Sequence, residues 1–144
     1  MQLRTFSVAL TAAGIFACSN AEDPETQIRR TIDAMEAAAE ARNVGDLVSH
    51  LSAHFRDAQG RDAAELARYV RGYFIANQSL HLLTRIHRIE FPTPDESRVH
   101  LTVAMVGREA EQSRAWNLAG EIRDFDATFM REGKDWKVTW VAVR

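Results

Sequence analysis

The sequence predicts an α+β fold, with three N-terminal helices packed on a strongly curved antiparallel sheet of about four long strands. Three observations predict it. Apolar residues recur at three- and four-residue spacing up to about residue 77, then change to strand-like alternation. Turn clusters divide the second half into long strands. Within two of those strands the apolar phase changes parity, which calls for bulges, and bulges bend a sheet. Helices that precede strands pack on one sheet face, and a bent sheet closed off by helices makes a cone with an interior cavity.

The elements follow in order. Asp23-Pro24 opens the first helix, with Asp as N-cap and Pro at the first helical position. Ile28, Ile32, Met35 and Ala39 form its apolar stripe, while Arg29, Arg30, Asp33, Glu36 and Glu40 hold the other positions. Alanines at 37, 38, 39 and 41 allow close approach, and Asn43-Val44-Gly45 ends the helix. Residues 46–55 read as a short second helix, with Leu47, Leu51 and Phe55 on one stripe. After a turn containing Gly60, Asp62 and Glu65 fit a capping box. The third helix then runs to about Asn77, burying Leu66, Tyr69, Val70, Tyr73 and Phe74.

Residues 80–91 form the first long strand, in which Leu80, Leu82 and Ile86 share one parity and Ile89 and Phe91 the other. Residues 92–97 are a turn, and residues 98–107 a strand with Val99, Leu101, Val103 and Met105 on one face. A charged loop at 108–113 leads to Trp116–Arg144, which reads as a long strand, a reversal near Gly133 and a final strand. Here Trp116, Leu118 and Ile122 share one parity, and Phe125, Ala127 and Phe129 the other. The expected bulge falls at Gly120 or Arg123-Asp124.

At 144 residues and a formal net charge of −2, the chain is one domain with an N-terminal segment. It has no basic run to neutralise phosphates, so nucleic acid is not an expected partner. Arg4 precedes Thr5–Ala17, an uncharged stretch of about 13 residues, short of the roughly 20 that span a bilayer as a helix. It ends in Ile15-Phe16-Ala17-Cys18, which resembles a bacterial lipobox, and Cys18 is the single cysteine. This divides the chain into a signal peptide at 1–17, a lipidated cysteine and tether at 18–24, and a domain at 25–144. By resemblance to the lipoprotein sorting rule, Ser19 after the cysteine directs the protein to the outer membrane, facing the periplasm.

Three local patterns carry a wider resemblance. Asn43-Val44-Gly45-Asp46-Leu47 closes the first helix. Phe55-Arg56-Asp57-Ala58-Gln59-Gly60-Arg61 leads into a helix that ends Gly72-Tyr73-Phe74. Asp126 is followed by Gly133 and Trp136-Lys137-Val138. In order and spacing, over residues 25–144, they resemble the nuclear transport factor 2-like, or SnoaL-like, superfamily. That resemblance implies a cone-shaped, cystatin-like fold. The superfamily includes isomerases, dehydratases, cyclases and non-catalytic binding modules, so it does not choose a function.

Asp57 matches the general base of the ketosteroid isomerase-like members. A carboxylate facing an apolar cavity has a raised pKa and shuttles a proton beside a carbonyl. The pattern departs in three places: Ala38 stands where those members carry an oxyanion-binding tyrosine, the segment before Asp57 is about five residues shorter than in those members, and Ala58 stands where proline follows the base. The structural alternative is that Asp57 orders the turn into the third helix. His50, His54 and Asp57 would share a face only on a continuous helix, and His81, His87 and His100 are strand residues; no metal site and no cofactor is expected. Tyr69, Tyr73, Trp116, Trp136 and Trp140 are the candidate lining of a pocket for a flat apolar ligand. Arg85, Arg88 and Arg98 form one basic side of the sheet region. The expectation is a lipid-anchored envelope domain that binds a small apolar ligand. The alternatives are an isomerase or dehydratase using Asp57, or a homodimer joined through the sheet.

Overall fold

The computed structural model describes residues 21–109 and 118–144. The expected signal peptide at 1–17, Cys18 and Trp116 lie outside the described residues. The order is α1 (Pro24–Glu40), α2 (Val44–Ser49), β1 (Leu51–Asp57), α3 (Ala63–Ala76), β2 (Asn77–Thr93), β3 (Glu96–Glu109), β4 (Leu118–Glu132) and β5 (Asp135–Val143). The architecture is α+β, with the helices on one face of a curved, unclosed sheet. Its strand order is β1-β5-β4-β3-β2.

The helix starts follow their caps. The Asp23 carboxylate accepts from Thr26 N at 3.2 Å, with Pro24 in the first turn. Asn43 Oδ1 accepts from Asp46 N at 3.1 Å. Asp62 and Glu65 exchange both bonds of a capping box. Arg42, not Gly45, is the residue that takes a left-handed conformation after α1, with φ +58°. Its guanidinium donates to Phe74 O at 2.5 Å and Gln78 O at 3.0 Å, joining the end of α3 to the start of β2. That tertiary pairing holds a conformation that glycine would adopt more readily.

Two expectations are corrected. The second helix stops at Ser49, and Leu51–Asp57 is a fifth strand, paired parallel to β5. The spacing of Leu47, Leu51 and Phe55 by four fits both a helical turn and a strand of period two, and a remote partner decides between them. Val138 N donates to His50 O, and Ala58 N to Val141 O, both at 2.9 Å. The second correction concerns the bulge expected in β4. The β3–β4 register runs unbroken from Glu96↔Met130 to Arg108↔Leu118. The irregularity is instead against β5, where Thr128↔Trp140 gives way to Phe129↔Val138 and leaves Thr139 as the extra residue. The parity change in β4 has another cause: Ile122 lies on the outer face and is 73% exposed. The bulge expected in the first long strand is present, between Ile86 and Arg88 of β2.

The main core lies between α1 and the sheet, where Ile28, Phe55, Val99, Phe129, Trp136 and Val138 are buried. A second cluster joins Val44, Ala67, Phe74 and Leu80 where α2, α3 and β2 meet. Glu40 of α1 accepts from Leu82 N at 2.8 Å, so a helix side chain occupies part of the free edge of β2.

Candidate functional site

Between α1, α3 and the inner sheet face lies a cavity of about 540 Å³. That size is within the usual range for small-molecule sites, roughly 300–1,000 Å³. Its wall is mainly apolar, built from Met35 and Ala39 of α1, Val70 and Phe74 of α3, and Leu101 and Phe125 of the sheet. Ala39 presents only a methyl group where α1 faces the strands, which leaves volume that a larger side chain would fill.

Asp57 stands at the end of β1, in the wall of this cavity, and is 5% exposed. Its Oδ1 accepts from Gln59 N at 2.9 Å and Arg61 N at 2.8 Å, and its Oδ2 from Arg61 Nε at 2.5 Å. The backbone closes the same turn: Asp57 N donates to Arg61 O, and Gly60 N to Asp57 O, with Gly60 at φ +81°. Burial by itself pushes the Asp57 carboxyl up. The side-chain and backbone donors of Arg61 outweigh it and hold the group below the ordinary aspartate value. The raised pKa expected of a base in an apolar cavity is therefore corrected: the carboxylate is paired and ordered in a turn.

The other polar groups at the cavity come from three elements. Tyr69 and Tyr73 of α3 both line it, but Tyr69, expected on the buried face of α3, is 59% exposed because it sits at the cavity rim under Arg61. The Arg61 guanidinium lies over the Tyr69 ring, 4.6 Å from its centroid. Burial, with help from Glu121 and then Tyr69, pushes the Tyr73 phenol up, so it stays a proton donor well into alkaline pH. Glu121 and Arg123 of β4 line the cavity and pair with each other. Thr84 of β2 and Glu36 of α1 complete the polar set. Glu36 is four residues after Ile32, so one helical turn brings it to the inward stripe.

Trp136 and Trp140 are placed differently from expectation. Trp136 is 2% exposed and outside the cavity wall, because it closes the opposite end of the core. Its Nε1 donates to Gln27 Oε1 at 3.0 Å, Arg131 stacks 4.6 Å from its ring, and Phe91 meets it edge-on at 5.9 Å. Trp140 is 40% exposed and also outside the wall, since the Thr139 bulge changes the register of its strand. Trp116 lies outside the described residues.

The histidines converge on no metal site. His50 caps α2, and His54 is an exposed residue of β1, whereas Asp57 is buried. Among the described residues no group of three or more His, Cys, Asp or Glu side chains is arranged to hold a metal. On the outer sheet face the His87 and His100 rings lie 5.1 Å apart. His87 Nε2 is 2.7 Å from Thr102 Oγ1, and His100 Nδ1 is 3.0 Å from Asp126, which also pairs with Arg144. His81 is an exposed residue of β2. Arg88 and Arg98 pair with Glu90 and Glu96, and Arg85 is exposed.

No family model and no curated protein matches the sequence. Solved structures do match the fold. A provisionally assigned scytalone dehydratase from Novosphingobium aromaticivorans superposes with a TM-score of 0.72 at 14% identity, over 83% of this chain and 82% of that one. A provisionally assigned dehydratase of the nuclear transport factor 2-like family from Streptomyces avermitilis gives 0.69 at 15% identity, over 83% and 97%. A nuclear transport factor 2-like protein of unknown function from Shewanella oneidensis gives 0.66 at 10% identity, over 84% and 98%. This chain has the nuclear transport factor 2-like fold.

Within this fold, the two side-chain departures at the expected catalytic set have a structural account. Ala58 N donates to Val141 O, a bond that proline in that position could not make. Ala38 is buried in the helix packing and is outside the cavity wall, so α1 contributes Glu36 there rather than a tyrosine. The sequence reading missed Arg61, Glu36, Thr84, Glu121 and Arg123 as site residues. Only Glu36 carried a sequence signal, its spacing from Ile32.

Proposed function

We propose that the protein is a binding or accessory module of the cell envelope that holds a small apolar ligand in its cavity. The carrying observation is an apolar cavity of about 540 Å³ in which Asp57, the one deeply buried carboxylate among the described residues, is already occupied by Arg61. Such a wall favours burial of apolar surface, at about 25 cal/mol per Å², and offers Tyr73 and Thr84 as orienting hydrogen-bonding groups. The lipid anchor on Cys18 and the outer-membrane location rest on the sequence alone. Native mass spectrometry of the protein purified from its own membranes tests the reading. A co-purifying small molecule that an apolar fluorophore displaces supports it. A ligand-free mass together with no fluorophore binding overturns it.

Two observations favour a second reading, an isomerase or dehydratase: Asp57 reaches the cavity wall, and two structural neighbours are provisionally assigned dehydratases. Asp57 would then take a proton α to a carbonyl after release from Arg61. Deuterium exchange into a cyclic ketone that is catalysed by the wild type and abolished in Asp57→Asn would establish it. Equal rates in both would remove it.

A homodimer through the outer sheet face is compatible with either reading. Leu83 pairs with Ala104 and Ala104 with Ile122, so the three form an apolar row across β2, β3 and β4. Leu83 and Ile122 are 72% and 73% exposed.

A further inference from the structure

The charges that reach the cavity do not balance. Asp57 is neutralised by Arg61, and Glu121 by Arg123. Glu36 lines the same cavity, and among the described residues no Lys, Arg or His side chain pairs with it. It stands on the inward stripe of α1, half-buried, where a carboxylate loses part of its hydration and regains nothing from a counter-ion. Its position separates it from the neighbouring acids of α1: Asp33 is exposed, and Glu40 accepts from the β2 backbone. Aromatic rings supply the second half of the argument. Tyr73 and Phe125 are half-buried rings of the wall, whereas Phe55, Phe74 and Phe129 are buried and Arg61 already covers the Tyr69 ring. Ring faces attract cations, and more strongly when the cation is desolvated.

We infer that the cavity selects an amphiphilic organic cation, an apolar body carrying an amine or quaternary ammonium group that sits against Glu36. This rests on the reading of the cavity as a ligand site. A neutral ligand would leave Glu36 without a countercharge, and an anionic one would meet it with the same sign. The cation gains the Glu36 carboxylate and the partly exposed Tyr73 and Phe125 side chains, while its chain lies along the apolar wall. Glu36 is thus the specificity-determining residue, and the size of the cavity sets the length of the chain.

Isothermal titration calorimetry on the full-length protein tests this with three probes of equal chain length: decyltrimethylammonium, decanol and decanoate. The cation is expected to bind about tenfold more tightly than the alcohol, and decanoate most weakly, each fold-change read directly from Kd. Glu36→Gln should bring the cation to the level of the alcohol and leave the alcohol unchanged. Glu132→Gln, the same charge change at an exposed residue outside the cavity wall, should keep the preference. Equal binding of cation and alcohol by the wild type, which needs no variant, overturns the charge inference and leaves the cavity reading standing. So does a preference that survives Glu36→Gln. Binding of none of the three probes overturns both.

Discussion

Arg61 meets the Asp57 carboxylate from two directions, with its backbone N–H at 2.8 Å and its side-chain Nε at 2.5 Å. One residue thus closes the turn after β1 and neutralises the acid that would otherwise stand bare in the cavity wall. Replacing Asp57 with Asn keeps an acceptor for the two backbone donors but removes the countercharge. Because about a third of the Arg61 side chain remains in solvent, the loss is expected to be moderate, about 1–3 kcal/mol. Urea denaturation of wild type and Asp57→Asn measures it. A change below about 0.5 kcal/mol would show that the pair contributes little.

The same pair fixes a pH dependence. The folded Asp57 carboxyl lies below its unfolded value, so near the carboxylate range the unfolded chain binds more protons. The contribution of Asp57 is then fully present above about pH 3.9 and is lost as pH falls through the folded value. Stability curves of wild type and Asp57→Asn should run parallel from pH 5 to 7 and converge below about pH 4. Curves that stay parallel down to pH 2 would contradict the pairing.

Trp136 is expected to be the costliest single truncation. It is buried at the far end of the core and joins the last strand to the first helix through Gln27. Trp136→Ala should lose about 3–5 kcal/mol. A double-mutant cycle with Trp136→Phe and Gln27→Leu isolates the hydrogen bond, with a coupling of about 1 kcal/mol expected. Zero coupling would place the whole effect in packing.

The row Leu83–Ala104–Ile122 predicts self-association. Sedimentation should show a dimer at micromolar concentration, and Ile122→Glu should give a folded monomer with unchanged circular dichroism. A wild-type monomer at that concentration would remove the interface.

Membrane attachment through Cys18 is tested by Cys18→Ala, which should move the protein from the membrane to the soluble fraction. Continued attachment of the variant would refute lipidation. One acyl chain alone binds a bilayer weakly, so a lipoprotein-type anchor with several chains is needed for stable attachment.

Most of the helical layer was legible because its signals are local. Asp23-Pro24 and Asp62 to Glu65 mark the helix starts by side-chain bonds to the next turn, and the stripe through Ile28 and Ile32 gives the buried face. The bulge in β2 was legible for a similar reason, since the parity change after Ile86 lies in one strand. β1 was not legible, because Leu47, Leu51 and Phe55 satisfy helix and strand alike and the deciding partner, β5, is the last strand in the chain. In β4 the parity change that reads as a bulge marks instead a passage from the outer row at Ile122 to the core at Phe125. The candidate site was read less well than the fold. Asp57, Tyr69 and Tyr73 reach the cavity wall, while Trp136 and Trp140 do not.

By itself the sequence determined what rests on neighbours a few residues away: the caps, the helix faces, the approximate strands and the order that resembles the nuclear transport factor 2-like pattern. The tertiary structure alone decided which side chains share the cavity. In a strand, a shift of one residue sends each side chain to the opposite face. The register that β5 takes against β1 and β4, with Thr139 as its extra residue, therefore excludes Trp140 from the wall. The turn that brings Arg61 onto Asp57 had the same effect on charge, converting a candidate base into a neutralised pair and leaving Glu36 as the carboxylate that faces the cavity without a partner among the described residues.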